Sequence, residues 1–267
     1  METTFRILGP LEVRVGDRAV ALGGPKPRAV LAMLLLRAGE VVSTDALIEG
    51  LWGERPPATA RGTIQVYVSQ LRRALADADA DDSAIETAGA GYVVRVAAGA
   101  LDLARFDAGV AEGRAALEED DPSRASTALA EALALWRGPP LADFAYEEFA
   151  QRDIALLEER RLQAVEARVE ADLRLGRHAD LVAELERLVA EHPQRERLRG
   201  QLMVALYGSG RQADALERYA AGRRAMIDEL GIEPGAELRE LEGRILRQDP
   251  DLLPSPAPRR PARGRRR

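Results

Sequence analysis

The chain has 267 residues, enough for two domains, and its 46% apolar and 31% charged residues are typical of a globular protein. The absence of cysteine excludes disulfides, thiolate zinc sites and cysteine nucleophiles. The net charge of −6 excludes a uniformly basic surface, but a local basic face is enough for phosphate contact, because the field of a charge extends about 10 Å in salt.

The N-terminal segment predicts short strands followed by two helices. The runs FRILG, LEVRV and AVALGG lie between Gly-Pro and Gly-Asp breaks, a pattern typical of short antiparallel strands. Apolar stripes then predict helices over 27–38 and 44–51. Gly39 ends the first helix, and Ser43 or Thr44 caps the second.

A third helix, predicted over 59–76, has two chemically different faces. One narrow apolar stripe would pack on a core and consists of Ile64, Val68, Leu71 and Leu75. The remaining surface carries Arg, Gln, Ser, Thr and one small apolar side chain, and residues 55–76 contain no acid. Such side chains read base edges and bind phosphates. We therefore predict DNA contacts from Arg61, Thr63, Gln65, Val66, Ser69, Arg72 and Arg73. A solvated helix face is the alternative, although such faces usually mix Glu with Lys.

A hairpin follows this helix. After an Asp- and Ala-rich loop at 77–84, the segments 85–87 and 91–94 predict two strands around Gly89 and Gly91. Three helices closed by a hairpin form a winged helix-turn-helix, in which the hairpin is the wing.

The sequence after Ala100 predicts helices throughout. Seven amphipathic segments are separated by Gly, Pro or Asp: 104–118, 122–136, 146–175, 178–191, 195–208, 212–229 and 235–247. GRHADLVAEL begins at Gly176 and GRQADALERY begins at Gly210, 34 residues later, which is the tetratricopeptide period. The small and bulky positions of that repeat fall on Leu181, Leu185, Ala215 and Tyr219. The pattern predicts a superhelix with a concave face for a peptide or protein. Two unrelated helical hairpins are the alternative.

The sequence contains no recognisable catalytic or cofactor-binding pattern. His178 and His192 lie without a ligand cluster around them, and neither a phosphate-binding G-x-x-x-x-G-K-[ST] loop nor a G-x-S-x-G elbow occurs. We therefore expect no enzyme activity, no metal and no cofactor.

The sequence also shows no signal peptide and no apolar run near the about 18 residues of a membrane span. We therefore expect a soluble, cytoplasmic protein that contacts no membrane.

The C-terminal segment 249–267 is rich in Pro and Arg and is predicted to be disordered. Six of its last nine residues are arginine. They would either add non-specific DNA affinity by counterion release or serve only to solvate the chain end.

Several blocks resemble one known family. LWGERPPATARGTIQVYVSQLRRAL and IETAGAGYVV are similar to the OmpR/PhoB-type DNA-binding domain, and more narrowly to that of the Streptomyces antibiotic regulatory protein (AfsR/DnrI/RedD) family. LWRGPPLADF and DELGIEPGAELRELEGRIL, together with the GRHADL and GRQADAL segments, resemble the bacterial transcriptional activator domain that follows it in that family. The resemblance spans about residues 5–248.

This resemblance implies a mainly α fold in three parts. They are a winged helix-turn-helix with a small antiparallel sheet (1–97), an all-α tetratricopeptide-like domain (101–248) and the tail (249–267). It also implies that helix 59–76 enters the major groove and that the hairpin meets the adjacent minor groove or backbone. The hairpin residues added to the predicted contacts are Thr87, Gly91 and Tyr92.

The resemblance further implies a transcriptional activator that binds direct repeats in double-stranded DNA, near the promoter −35 element, as a homodimer. It would contact RNA polymerase and its sigma factor, lie at the nucleoid, and control a secondary-metabolite (antibiotic) gene cluster in an actinobacterium. The competing hypothesis is a helical-repeat scaffold for protein interactions that binds no specific DNA sequence.

Overall fold

The computed structural model describes residues 3–78 and 84–253. Its contacts divide the chain into two compact units. Unit 1 holds the described residues up to Glu112 together with Ala128–Ala164, and unit 2 holds Gly113–Thr127 and the described residues from Val165 onward. The domain boundary placed near residues 97–101 stays a prediction. Of the predicted disordered tail, residues 254–267 lie outside the described part of the chain, and Pro250–Leu252 form a short 3₁₀ turn.

Unit 1 begins with an antiparallel three-stranded sheet in the order β1-β2-β3. The strands are β1 Thr3–Arg6, β2 Glu12–Val15 and β3 Arg18–Ala19. Phe5 pairs with Val13 across the sheet, and both side chains are buried. The alternation of apolar and polar residues in these strands therefore places one face of the sheet against a core.

Three helices and a second sheet complete the winged helix. The helices are α1 Pro25–Leu35, α2 Thr44–Trp52 and α3 Ala60–Asp77. The sheet has the order β4-β6-β5, with strands β4 Val42–Ser43, β5 Ile85–Ala88 and β6 Gly91–Val94. Ser43 is the cap of α2, because its Oγ accepts a hydrogen bond from the Ala46 N–H at 3.1 Å. The predicted helices and hairpin are confirmed.

The end of β1 is held by residues from later in unit 1. The buried Asp102 carboxylate accepts hydrogen bonds from the backbone N–H groups of Ile7 and Leu8, each at 2.9 Å. In return, the N–H of Arg137 donates to the Leu8 carbonyl at 2.8 Å, and that of Leu141 donates to Ile7 at 3.0 Å. Burial raises the pKa of Asp102, and the two N–H donors oppose this shift. The fold around β1 thus depends on residues beyond position 97.

Seven further α-helices follow between residues 84 and 253, as predicted. They are α4 Asp102–Glu118, α5 Pro122–Leu133, α6 Glu148–Arg174, α7 His178–Glu191, α8 Glu196–Gly208, α9 Gln212–Leu230 and α10 Ala236–Leu246. In unit 2, α7 packs on α8, α8 packs on α9, and α10 packs on both α8 and α9. Packing between neighbours in the chain is typical of helical repeats. None of the described helices is long and apolar enough to cross a membrane.

The two repeated segments share their turn geometry and their buried positions. Gly176 and Gly210, two residues before α7 and α9, have φ angles of 76° and 77°, in the left-handed region that favours glycine. The small and bulky repeat positions Leu181, Leu185, Ala215 and Tyr219 are all buried.

His178, at the start of α7, is buried against Gly208, where an added Cβ would lie 2.5 Å from the imidazole ring. This burial lowers the pKa of His178, and a hydrogen bond to the Gly176 backbone opposes the shift. The ring is therefore a packed side chain between the start of α7 and the end of α8.

Candidate nucleic-acid interface

Helix α3 is anchored by one face and exposed on the other. The predicted stripe Ile64, Val68, Leu71 and Leu75 is fully buried, so it sets the rotation of the helix about its axis. On the opposite side Gln65, Val66, Ser69 and Arg73 are exposed. Val66 has 53% of its surface in solvent although it is apolar. The exposed face therefore offers hydrogen-bonding groups together with an apolar contact of the kind that meets a thymine methyl group.

Arg61, in the first turn of α3, contacts a carboxylate from another helix. Its Nη2 lies 2.6 Å from Oδ1 of Asp45, in the first turn of α2. Both side chains are largely exposed, at 60% for Arg61 and 79% for Asp45. Nearby, the Thr63 hydroxyl donates to the Thr59 carbonyl at 3.0 Å, so Thr63 is turned back onto its own helix. The basic residue at this end of the face is thus paired with an acid.

Arg72 connects α3 to the wing. Its Nε donates to the Ile85 carbonyl at 2.8 Å, and its Nη2 donates to the Thr87 hydroxyl at 3.0 Å. Two bonds from one planar guanidinium fix direction as well as distance. Arg72 therefore holds strand β5 at a defined position beside the helix, and it does so from a half-buried site.

Arg73 is the most exposed arginine of the face, with 84% of its side chain in solvent. Its Nε lies 3.7 Å from Oδ2 of Asp77, one turn further along α3. A pair this open contributes little to stability. The guanidinium is accordingly available to an incoming anion.

The wing exposes one of its three predicted contact residues. Thr87 is exposed, whereas Gly91 and Tyr92 are buried within the sheet. An added Cβ at Gly91 would lie 2.1 Å from the Val42 carbonyl oxygen, so the close approach of β4 requires glycine there. The Thr44 hydroxyl and N–H both bond to the Ala90 carbonyl, which ties α2 to the wing turn. A DNA contact from Gly91 or Tyr92 stays a prediction.

Six predicted residues are thus exposed: Arg61, Gln65, Val66, Ser69 and Arg73 on α3, and Thr87 on the wing strand β5. The structure also adds two acids that sequence reasoning missed. Asp77 lies just beyond the acid-free stretch, so its position one turn after Arg73 was readable from the sequence. Asp45 lies on a different helix, and no local pattern indicates its contact with Arg61.

Two family descriptions match the chain. "Transcriptional regulatory protein, C terminal" matches residues 18–94, and "Bacterial transcriptional activator domain" matches residues 101–246. The regulatory protein DnrI of Streptomyces peucetius is 41% identical over 255 residues, which cover 93% of each chain. The chain belongs to the Streptomyces antibiotic regulatory protein (AfsR/DnrI/RedD) family. Its winged helix and helical domain are those of this family of transcriptional regulators.

Members of the AfsR/DnrI/RedD family differ greatly in length. The regulatory protein AfsR of Streptomyces griseus is 44% identical over 93% of this chain, but the match spans only 25% of AfsR. Among solved structures, Mycobacterium tuberculosis EmbR in complex with a low-affinity phosphopeptide has a TM-score of 0.90 and 42% identity. That match covers 93% of this chain and 66% of EmbR.

Proposed function

We propose that this chain is a sequence-specific DNA-binding transcriptional activator whose helix α3 reads the major groove. The observation that carries the proposal is the exposed face of α3, set by a buried stripe and joined to the wing through Arg72. A recognition helix fits the width of the major groove of B-DNA. Membership of a family of transcriptional regulators supports the same function.

The side chains divide by chemistry into base-reading and phosphate-binding groups. Gln65 and Arg61 carry the paired hydrogen-bonding groups that suit adenine and guanine, and Val66 suits the methyl group of thymine. Arg73 and Ser69 supply contacts that suit phosphate oxygens, and Thr87 of the wing would meet the adjacent backbone. Arg72 also acts as a positioning residue, because two of its N–H groups hold the wing, and a DNA contact from its remaining N–H groups stays part of the proposal.

Family membership supports a proposal about the operator and the partners. We propose direct-repeat sites near the promoter −35 element, a homodimer on DNA, and contact of the helical domain with RNA polymerase and its sigma factor. The regulated genes would form a secondary-metabolite cluster, and the protein would act in the cytoplasm at the nucleoid.

Fluorescence anisotropy against salt tests the DNA-binding proposal. The full chain is titrated with a duplex selected from random DNA and with an unselected duplex, from low to high salt. Gln65→Ala should weaken binding to the selected duplex alone, by about 1–3 kcal/mol. Arg73→Ala should weaken both and reduce the salt slope by about 0.9, since one phosphate contact is lost.

The matched control is Arg224→Ala, which removes an exposed arginine from α9 and should change neither affinity. Absence of binding to either duplex at low salt would leave the protein-interaction scaffold as the better account. Wild-type affinity in both Gln65→Ala and Arg73→Ala would refute the assignment of α3.

A further inference from the structure

We propose that Asp45 is a specificity-determining residue. It orients the Arg61 guanidinium for a contact with a base and disfavours a contact of the same group with a phosphate. This inference rests on the proposed DNA-binding function. It begins from the ion pair between Arg61 Nη2 and Asp45 Oδ1, 2.6 Å apart on the exposed side of α2 and α3. The pair joins the first turns of two different helices.

The positive charges on the exposed face of α3 have more acidic partners than the sequence indicates. Residues 55–76 contain no acid, yet Arg61 has Asp45 at 2.6 Å and Arg73 has Asp77 at 3.7 Å. The hydrogen bonds described for Arg72 go to the Ile85 carbonyl and the Thr87 hydroxyl, both in unit 1. Each exposed arginine of α3 therefore has a carboxylate within reach, which weakens the sequence-independent attraction to phosphate.

The two arginine–aspartate pairs differ in geometry, and this difference assigns different roles to Asp45 and Asp77. Asp77 lies on α3 itself, one turn from Arg73, and its contact of 3.7 Å is too long for a hydrogen bond. Asp45 makes a direct, charge-assisted hydrogen bond from a separate helix. Only this second arrangement fixes the direction of a guanidinium relative to the helix that carries it.

A guanidinium has five N–H groups, and the Asp45 contact uses Nη2. Arg61 can therefore retain Asp45 while its remaining N–H groups form a bidentate contact with a base edge. When a backbone phosphate replaces Asp45 as the partner of Nη2, the Asp45 carboxylate is left without its hydrogen bond beside the negative DNA backbone. The pair thus favours the base-reading position of Arg61 over the phosphate-bound one.

The test compares Asp45→Asn with Asp77→Asn in the full chain, since each removes one exposed carboxylate that is paired with an arginine of α3. Affinities are measured for the selected duplex and for random duplex. Asp45→Asn should raise the affinity for random duplex about threefold to tenfold and steepen its salt slope by nearly one. The affinity for the selected duplex should stay level or fall, so that the ratio of selected to random affinity drops by at least about threefold. Asp77→Asn should raise both affinities by similar factors and keep the ratio.

Arg61→Ala completes a double-mutant cycle with Asp45→Asn. The proposal predicts that Asp45→Asn has no effect on the ratio once Arg61 is absent. An equal rise in both affinities would mean that Asp45 only repels DNA and would overturn the proposal, as would an unchanged ratio. In either case the wild-type protein still binds DNA, whereas failure of the proposed function removes wild-type binding itself.

Discussion

Replacement of Asp102 should destabilise the winged helix although Asp102 lies outside the segment predicted to form it. The Asp102 carboxylate accepts from the backbone N–H groups of Ile7 and Leu8, and both of those residues are fully buried. In Asp102→Ala these two N–H groups lose their described acceptor in a place that water does not reach. A buried, unsatisfied polar group costs about 1–3 kcal/mol, so the loss should be about 2–6 kcal/mol.

Asp102→Asn should be less harmful. The amide keeps one acceptor oxygen and removes a desolvated charge, and burial already raises the pKa of this carboxyl. We expect a loss of about 1–3 kcal/mol, below that of the alanine variant. Because native proteins are stable by about 5–15 kcal/mol, both losses are measurable.

The free energy of unfolding is measured for the full chain by urea titration, followed by circular dichroism. The control is Asp120→Asn, which removes a carboxylate that is 91% exposed and should change stability by less than about 0.5 kcal/mol. A loss of stability in Asp102→Ala no larger than in this control would contradict the role of Asp102, as would an asparagine variant less stable than the alanine variant.

Three further predictions concern replacements of single residues. Burial lowers the pKa of His178 below its ordinary value, so its contribution to stability is present above that value and is lost as pH falls. His178→Leu should therefore flatten the dependence of unfolding free energy on pH between about 7 and 5.5, and an unchanged dependence would contradict this account. Arg72→Gln should speed amide hydrogen exchange in the wing strand β5 without slowing the folding of the whole chain, and unchanged exchange would contradict its positioning role. Gly91→Ala should lower the melting temperature markedly, because the new Cβ would lie 2.1 Å from the Val42 oxygen; a neutral effect would contradict the required close approach.

Features carried by local periodicity were predictable from the sequence. The apolar stripe of α3 repeats every three or four residues, and this spacing fixes the buried face without knowledge of any partner. The shared turns at Gly176 and Gly210 were equally readable, because each repeat is built from one local segment.

Features that depend on partners distant in sequence were not predictable. Asp45 reaches Arg61 across 16 residues, and Asp102 reaches Ile7 across 95. No local propensity selects between these acids and the many others of the chain. Gly91 shows the same limit, since the hairpin pattern explains a glycine near the turn but not the approach of β4 that excludes a side chain.

The most direct test of the central claim is the selection of bound duplexes from random DNA by the full chain, repeated with Gln65→Ala. If α3 reads bases, the wild-type protein should enrich one short motif, repeated in the same orientation about one or more helical turns, of about 10 base pairs, apart. The Gln65→Ala variant should lose preference at a defined position of that motif and keep the spacing. Selection of no motif, or of the same motif with the same preferences by both proteins, would contradict the claim that α3 reads the DNA sequence.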